Sequence, residues 1–128
     1  MPEQIVIIVA AGTGSRFGTE MPKQFLPLCG TPVVAHAINA FREALGADSR
    51  ILLVLSEPMI PLWRRLCADY AISSPEIVTG GATRWESVRN AIAALGEASP
   101  SATVLIHDGA RPLVTPEVIR RAASTTVR

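Results

Sequence analysis

IVIIVAAGTGSRFGTEMPKQFLPL, residues 5–28, joins an unbroken apolar run to a glycine-rich loop and then to a Pro-Lys-Gln step. Ile5 to Val9 is β-branched throughout, the composition of a strand buried on both faces. The loop that follows holds Arg16 and the step holds Lys23. Backbone N–H groups uncovered by glycine, with two fixed cations beside them, suit a nucleoside triphosphate and the charge that builds as it reacts. A P-loop needs a lysine directly after its last glycine, where Thr19 stands, and the dinucleotide fingerprint needs a glycine at Phe17, with Gly18 one residue late. An ordinary glycine-rich strand-to-helix turn is the remaining simple alternative.

Outward from this stretch, strand and helix patterns alternate. Ile51 to Leu55 repeats the buried-strand signature, Val104 to His107 is a shorter run of the same type and Glu76 to Val78 a weaker one. Thr31-Pro32 reads as an N-cap followed by proline at the first helical position, with Val34, Ala37, Ile38 and Phe41 on one face. Leu62 to Tyr70 forms a second helix after Pro61. Thr83 to Glu86 fits a capping box ahead of a buried stripe of Val88, Ala91, Ile92 and Leu95. Thr115-Pro116 repeats the cap-then-proline device before Val118, Ile119 and Ala122. The order β-α-β-α-β-α-β-α predicts an α/β fold: a Rossmann-like, mostly parallel sheet with flanking helices and right-handed crossovers. Ligands of such sheets bind beyond the carboxyl ends of the strands, which is where residues 10–23, 80–87 and 107–111 fall.

Composition narrows the function classes. The chain has 128 residues, 48% of them hydrophobic, enough for one core that buries roughly two thirds of the unfolded surface. Twelve basic against eleven acidic residues leave a net charge of +1, without the positive field that drives nucleic-acid binding. Cys29 and Cys67 are far apart, with no CxxC spacing, and read as two core thiols in a reducing compartment. The longest apolar run is too short to span a membrane, and the first strand begins almost at Met1, leaving no room for a signal peptide. A cytoplasmic protein is the expectation.

Three motifs carry a specific resemblance. AAGTGSRFG (10–18) with PKQF (22–25), GGATRWESVRNAI (80–92) and HDGARP (107–112) occur in the order and spacing of the sugar-nucleotide pyrophosphorylase-like nucleotidyltransferases. PKQFLPL is similar to the branch that transfers cytidylate from CTP to a pentitol phosphate, releasing pyrophosphate. Within that branch the likeness points to the acceptor 2-C-methyl-D-erythritol 4-phosphate, used in non-mevalonate isoprenoid synthesis. Ribitol or ribulose 5-phosphate is the alternative acceptor, and an inactive nucleotide-binding module is the alternative from another class.

The resemblance implies the site. Arg16 and Lys23 become the catalytic cations, flanking the triphosphate and stabilising the crowded α-phosphorus and the departing pyrophosphate. Ala10, Ala11, Gly12 and Gly14 bind the nucleotide through uncovered backbone, and Gly81, Ala82 and Ser87 read the cytosine, whose donors and acceptors match fixed N–H, C=O and hydroxyl groups. Asp108 lies near the ribose and helps hold Mg²⁺, and Arg111 faces the acceptor phosphate. The acceptor's own phosphate oxygen attacks in line, so no protein nucleophile is needed. Arg84 is either a site cation or a first-turn residue paired with Glu86 or a carbonyl. Trp85 reads as packing or rim, and His36 and His107 as structural. Gly109 stands where the motif leads one to expect alanine and would slightly loosen its loop. Members of this branch continue past the point matching Arg128, with a second acidic metal ligand, a late lysine, part of the acceptor site and a homodimer arm. Residues 1–128 are therefore read as the nucleotide-binding portion of one cytidylyltransferase domain.

Overall fold

The computed structural model describes residues 4–11, 23–28, 30–46, 49–96 and 103–109. Four parallel strands form its sheet: β1 (Gln4–Val9), β4 (Arg50–Leu55), β5 (Glu76–Thr79) and β6 (Thr103–Asp108), side by side in the order β5-β4-β1-β6. Two further strands, β2 (Pro27–Leu28) and β3 (Thr31–Pro32), make a small antiparallel pair before α1 (Val33–Leu45). Helix α2 (Ile60–Tyr70) joins β4 to β5, and α3 (Arg84–Leu95) joins β5 to the stretch leading to β6.

Register explains why the strands are apolar on both sides. Val6 pairs with Ile51 and Ile8 with Leu53, and this face meets α1 and α2 through Val34, Ile38, Phe41, Trp63 and Leu66. The alternate residues Ile5, Ile7, Val9, Leu52 and Val54 turn to the opposite face, where Ala91 and Leu95 of α3 cover them. Helices thus lie on both sides of a parallel sheet, the arrangement expected of the alternating pattern.

Three local readings change. Thr31-Pro32 does not cap α1. Gly30, at φ +80°, turns the chain so that Thr31 and Pro32 pair with Leu28 and Pro27, and the Val33 N–H donates to the Leu26 carbonyl at 2.9 Å. With Pro32 extended at ψ 142°, the helix begins one residue later. Helix α2 starts at Ile60 and takes Pro61 into its first turn, where a missing N–H costs no helical bond. A 3₁₀ turn at Glu57–Met59 leads into it and buries Met59. On α3 the buried line is Ser87, Ala91 and Leu95, at intervals of four; Ile92 rotates off the sheet and is 51% exposed. The predicted helix after Thr115 lies outside the described residues. No helix among them is long and apolar enough to cross a membrane.

Candidate functional site

Strand order reverses beside β1. The chain first builds outward to β4 and β5, then returns to place β6 on the other side of β1, and it is beyond the carboxyl ends at such a reversal that open α/β sheets form a crevice. Val9 and Asp108 end the two strands as a register pair. A hollow of about 240 Å³ opens there, floored by Val9, Ala11 and Asp108 and walled by Gly81, Ala82 and Ser87, with Thr83 and Arg84 on its lining. Residues from all three sequence motifs reach the site's neighbourhood, and five of the expected site residues, Ala11, Gly81, Ala82, Ser87 and Asp108, line this one cavity.

The wall is held by a chain of specific contacts. The Gly80 N–H donates to the Leu55 carbonyl at 2.8 Å, continuing the ladder one residue past β5. A Cβ at Gly80 would sit 2.6 Å from the Ala11 Cβ and 2.8 Å from the Ser87 Oγ, so only glycine lets β1, β5 and α3 approach so closely. Ser87 is buried and its Oγ accepts the Gly81 N–H at 3.1 Å, fixing the first residue of the wall. The Thr83 Oγ1 accepts the Glu86 N–H at 3.1 Å, capping α3 as the sequence predicts, and the Thr83 hydroxyl lies 3.3 Å from the Glu86 Oε1. Asn90 donates to the Thr79 carbonyl at 3.2 Å, tying the second turn of α3 to the end of β5.

On the other side of the crevice Gly109 donates its N–H to the Val9 carbonyl at 2.8 Å. An alanine there would put its Cβ 2.8 Å from that of Ala10 and 3.2 Å from the Val9 oxygen. Gly109 therefore tightens the junction of β1 with β6, contrary to the expected loosening.

Ala10 stands behind the hollow. Its N–H donates to the Val54 carbonyl at 2.9 Å and its carbonyl accepts the Gln24 Nε2 at 2.6 Å. Gln24 belongs to a single 3₁₀ turn, Lys23–Phe25, which sets the Lys23 backbone next to the end of β1. Phe25 anchors that turn by stacking on Trp63, with ring centres 5.8 Å apart, and the Trp63 indole donates to the Ser74 Oγ at 2.9 Å. The sequence reading gave Gln24 no role of its own, although it lies inside the PKQF motif. The Lys23 side chain, Arg16, Gly12, Gly14 and Arg111 lie outside the described residues.

The remaining polar candidates sort by their neighbours. Arg84 is exposed on the hollow's lining and takes no hydrogen bond or ion pair among the described residues, so the pairing with Glu86 is not formed. His107 packs edge-on against Phe41, ring centres 5.4 Å apart, on the face away from Asp108. His36 donates its Nε2–H to the Leu28 carbonyl at 2.6 Å, bracing the β2-β3 hairpin. Trp85 is exposed with the Arg89 guanidinium 4.7 Å over its ring, a rim contact on α3. Burial pushes the Cys67 thiol up from its ordinary range, opposed by a hydrogen bond from Ser74 and by Arg64 and Arg42, which favours the neutral half-buried thiol on α2. Cys29 lies outside the described residues.

A doubly wound sheet with a hollow and a carboxylate at the strand-order reversal defines the class: an open-sheet α/β protein, whose ligands bind beyond the carboxyl ends of the strands. The chain belongs to the 2-C-methyl-D-erythritol 4-phosphate cytidylyltransferase family, whose sequence profile matches residues 4–127. A Cereibacter sphaeroides (strain ATCC 17023) protein of that name is 52% identical over 115 residues, covering 90% of this chain and 50% of its own. The Bacteroides thetaiotaomicron protein of the same name is 45% identical over 120 residues, covering 93% and 53%. A crystal structure of 4-diphosphocytidyl-2C-methyl-D-erythritol synthase superposes with a TM-score of 0.76 at 26% identity, over 98% of this chain and 54% of the other. The synthase from Anaerococcus prevotii, at 21% identity and TM-score 0.68, shares the fold over 96% of this chain and 50% of its own. The chain spans about half the length of the curated relatives it matches.

Proposed function

We propose that this chain supplies the nucleotide-binding half of a cytidylyltransferase that moves cytidylate from CTP to 2-C-methyl-D-erythritol 4-phosphate and releases pyrophosphate. The observation that carries the reading is the meeting of Ala11, Gly81, Ala82, Ser87 and Asp108, from three separate stretches, on one hollow at the strand-order reversal of a member of this family.

The cytosine rests against the Gly81–Ala82 wall. Because the Ser87 oxygen already accepts the Gly81 N–H, its own hydrogen is left to donate to a ring nitrogen or carbonyl of the base. The backbone groups of that wall and the Ser87 hydroxyl can pair with the donor and acceptors on the edge of cytosine. The triphosphate leaves the base toward Lys23 and, in the sequence, Arg16. Their charge is needed most when the acceptor phosphate oxygen attacks the α-phosphorus and the bond to pyrophosphate breaks. Arg111 receives the acceptor phosphate.

No group of three or more His, Cys, Asp or Glu side chains that could cage a metal occurs among the described residues. A single carboxylate, Asp108, on the hollow still fits Mg²⁺, which is commonly held by one or two carboxylates together with substrate phosphates and water. When bound, the ion neutralises triphosphate charge and orients its oxygens. Asp108 would hold it beside the ribose.

Pyrophosphate release tests the reading. A chimaera in which this chain replaces the corresponding half of the Cereibacter sphaeroides relative should turn over CTP with methylerythritol phosphate faster than with ribitol 5-phosphate. Lys23→Ala in that chimaera should lower turnover by roughly 10²- to 10³-fold with little change in CTP affinity. The 128-residue chain alone should sit near background, since orientation of the nucleophile can account for about 7–11 kcal/mol of the barrier. Full turnover by the Lys23 variant would overturn its catalytic role, and full turnover by the chain alone would overturn the reading of it as one half of the site.

A further inference from the structure

Gln24 is 3% exposed, one of two buried polar side chains among the described residues, and it sits one residue after Lys23. Its Nε2 donates to the Ala10 carbonyl at 2.6 Å, across 14 residues of sequence, and lies 3.5 Å from the Met59 sulfur. Ala10 is buried, so its carbonyl beyond the last strand pairing has little access to water and needs a donor from within the protein. Packing alone does not call for glutamine here: a methionine or leucine would fill the same space against Met59 without the cost of burying an amide. What glutamine adds is a directional tie between the end of β1 and the turn that carries Lys23.

We propose that Gln24 is a positioning residue, whose amide clamps the Lys23 turn to the Ala10 carbonyl and so holds the phosphate-side lysine in a fixed place relative to the base-side wall. The role rests on the nucleotide reading given above. Two ties on Ala10 act together: its N–H is fixed to Val54 of β4 and its carbonyl to Gln24, so both the hollow's floor and the Lys23 backbone are referred to one peptide. Phe25 supplies the apolar anchor of the same turn through Trp63 but makes no polar tie to Ala10.

The pair Gln24→Met and Phe25→Leu separates clamping from general packing. Gln24→Met keeps length and volume and removes the donor; Phe25→Leu loosens the stack on Trp63 and keeps the donor. In ¹³C-labelled 128-residue protein, the Ala10 carbonyl resonance should move upfield in Gln24→Met, as it does when a hydrogen bond is lost, and stay in place in Phe25→Leu. Turnover in the chimaera should fall about tenfold in Gln24→Met, the scale of one lost hydrogen bond, with affinity for Mg²⁺·CTP kept within about twofold as in Lys23→Ala, while Phe25→Leu lowers the melting temperature and leaves turnover within about twofold. An unmoved Ala10 carbonyl in Gln24→Met would overturn the clamp. Equal loss of turnover in both variants would overturn the positioning role. Failure of the unaltered chain to bind CTP would count against the functional reading instead, and the Ala10 signal would still decide the clamp.

Discussion

Ser87 does two things with one hydroxyl: it accepts the Gly81 N–H and, in the proposed complex, donates to the base. Ser87→Ala takes the partner from the part-buried Gly81 N–H, which costs about 1 kcal/mol, and removes the base contact as well. The expected result is a lower melting temperature together with at least about tenfold weaker CTP binding, read by calorimetry on the folded fraction. A variant that lost stability but bound CTP normally would remove Ser87 from the site. Gly109 gives a second residue-scale outcome. Gly109→Ala must push the β1-β6 junction apart by several tenths of an ångström or more, because its Cβ would meet Ala10 at 2.8 Å. Thermal unfolding should show destabilisation of about 1–3 kcal/mol, the cost of overpacking; an unchanged midpoint would show that the junction yields freely. The sequence pointed to Ser87 and Asp108 through their motifs. It included Gln24 in the PKQF motif but missed its tie to Ala10, since its partners lie 14 and 35 residues away in sequence.

Among the elements, α2 ends at a cost. Ala71 takes φ 54° and ψ 45°, the left-handed conformation that closes the helix by returning its N–H to the Cys67 carbonyl. For a residue with a Cβ that conformation costs about 1–2 kcal/mol, which glycine avoids. Ala71→Gly should therefore raise stability by about 0.5–1 kcal/mol after its own chain entropy is counted, measured by urea unfolding. A loss of stability would mean that the Ala71 methyl contributes packing. Element type and order were legible because β1 and β4 are unbroken runs of apolar residues and α3 carries a Thr83 cap. The start of α1 was not. Thr31-Pro32 has the composition of a cap, but pairing with Pro27–Leu28 and the Gly30 turn override it, and those depend on tertiary contacts. Ile92 was misjudged for a related reason: a stripe of four apolar residues is wider than the line of Ser87, Ala91 and Leu95 that the sheet covers.

At the scale of the whole molecule, one fact organises the rest: the strand order β5-β4-β1-β6 opens a crevice at the carboxyl ends of β1 and β6, where residues distant in sequence meet. The opposite end of the sheet has its own hollow, lined by Arg42, Ser49, Arg50 and Glu76, but its charges already have partners within the protein. Arg42 donates to the Ser73 carbonyl at 2.7 Å and Arg50 pairs with Glu76 at 3.5 Å. The two ends make competing claims on a nucleotide, and titration of ¹⁵N-labelled protein with Mg²⁺·CTP, then with Mg²⁺·ATP, decides between them. The account predicts that CTP shifts the backbone resonances of Ala11, Gly81, Ala82, Ser87 and Asp108 most strongly, and that ATP at the same concentration shifts them far less. Shifts centred on Arg42, Arg50 and Glu76, or equal saturation by ATP, would contradict it.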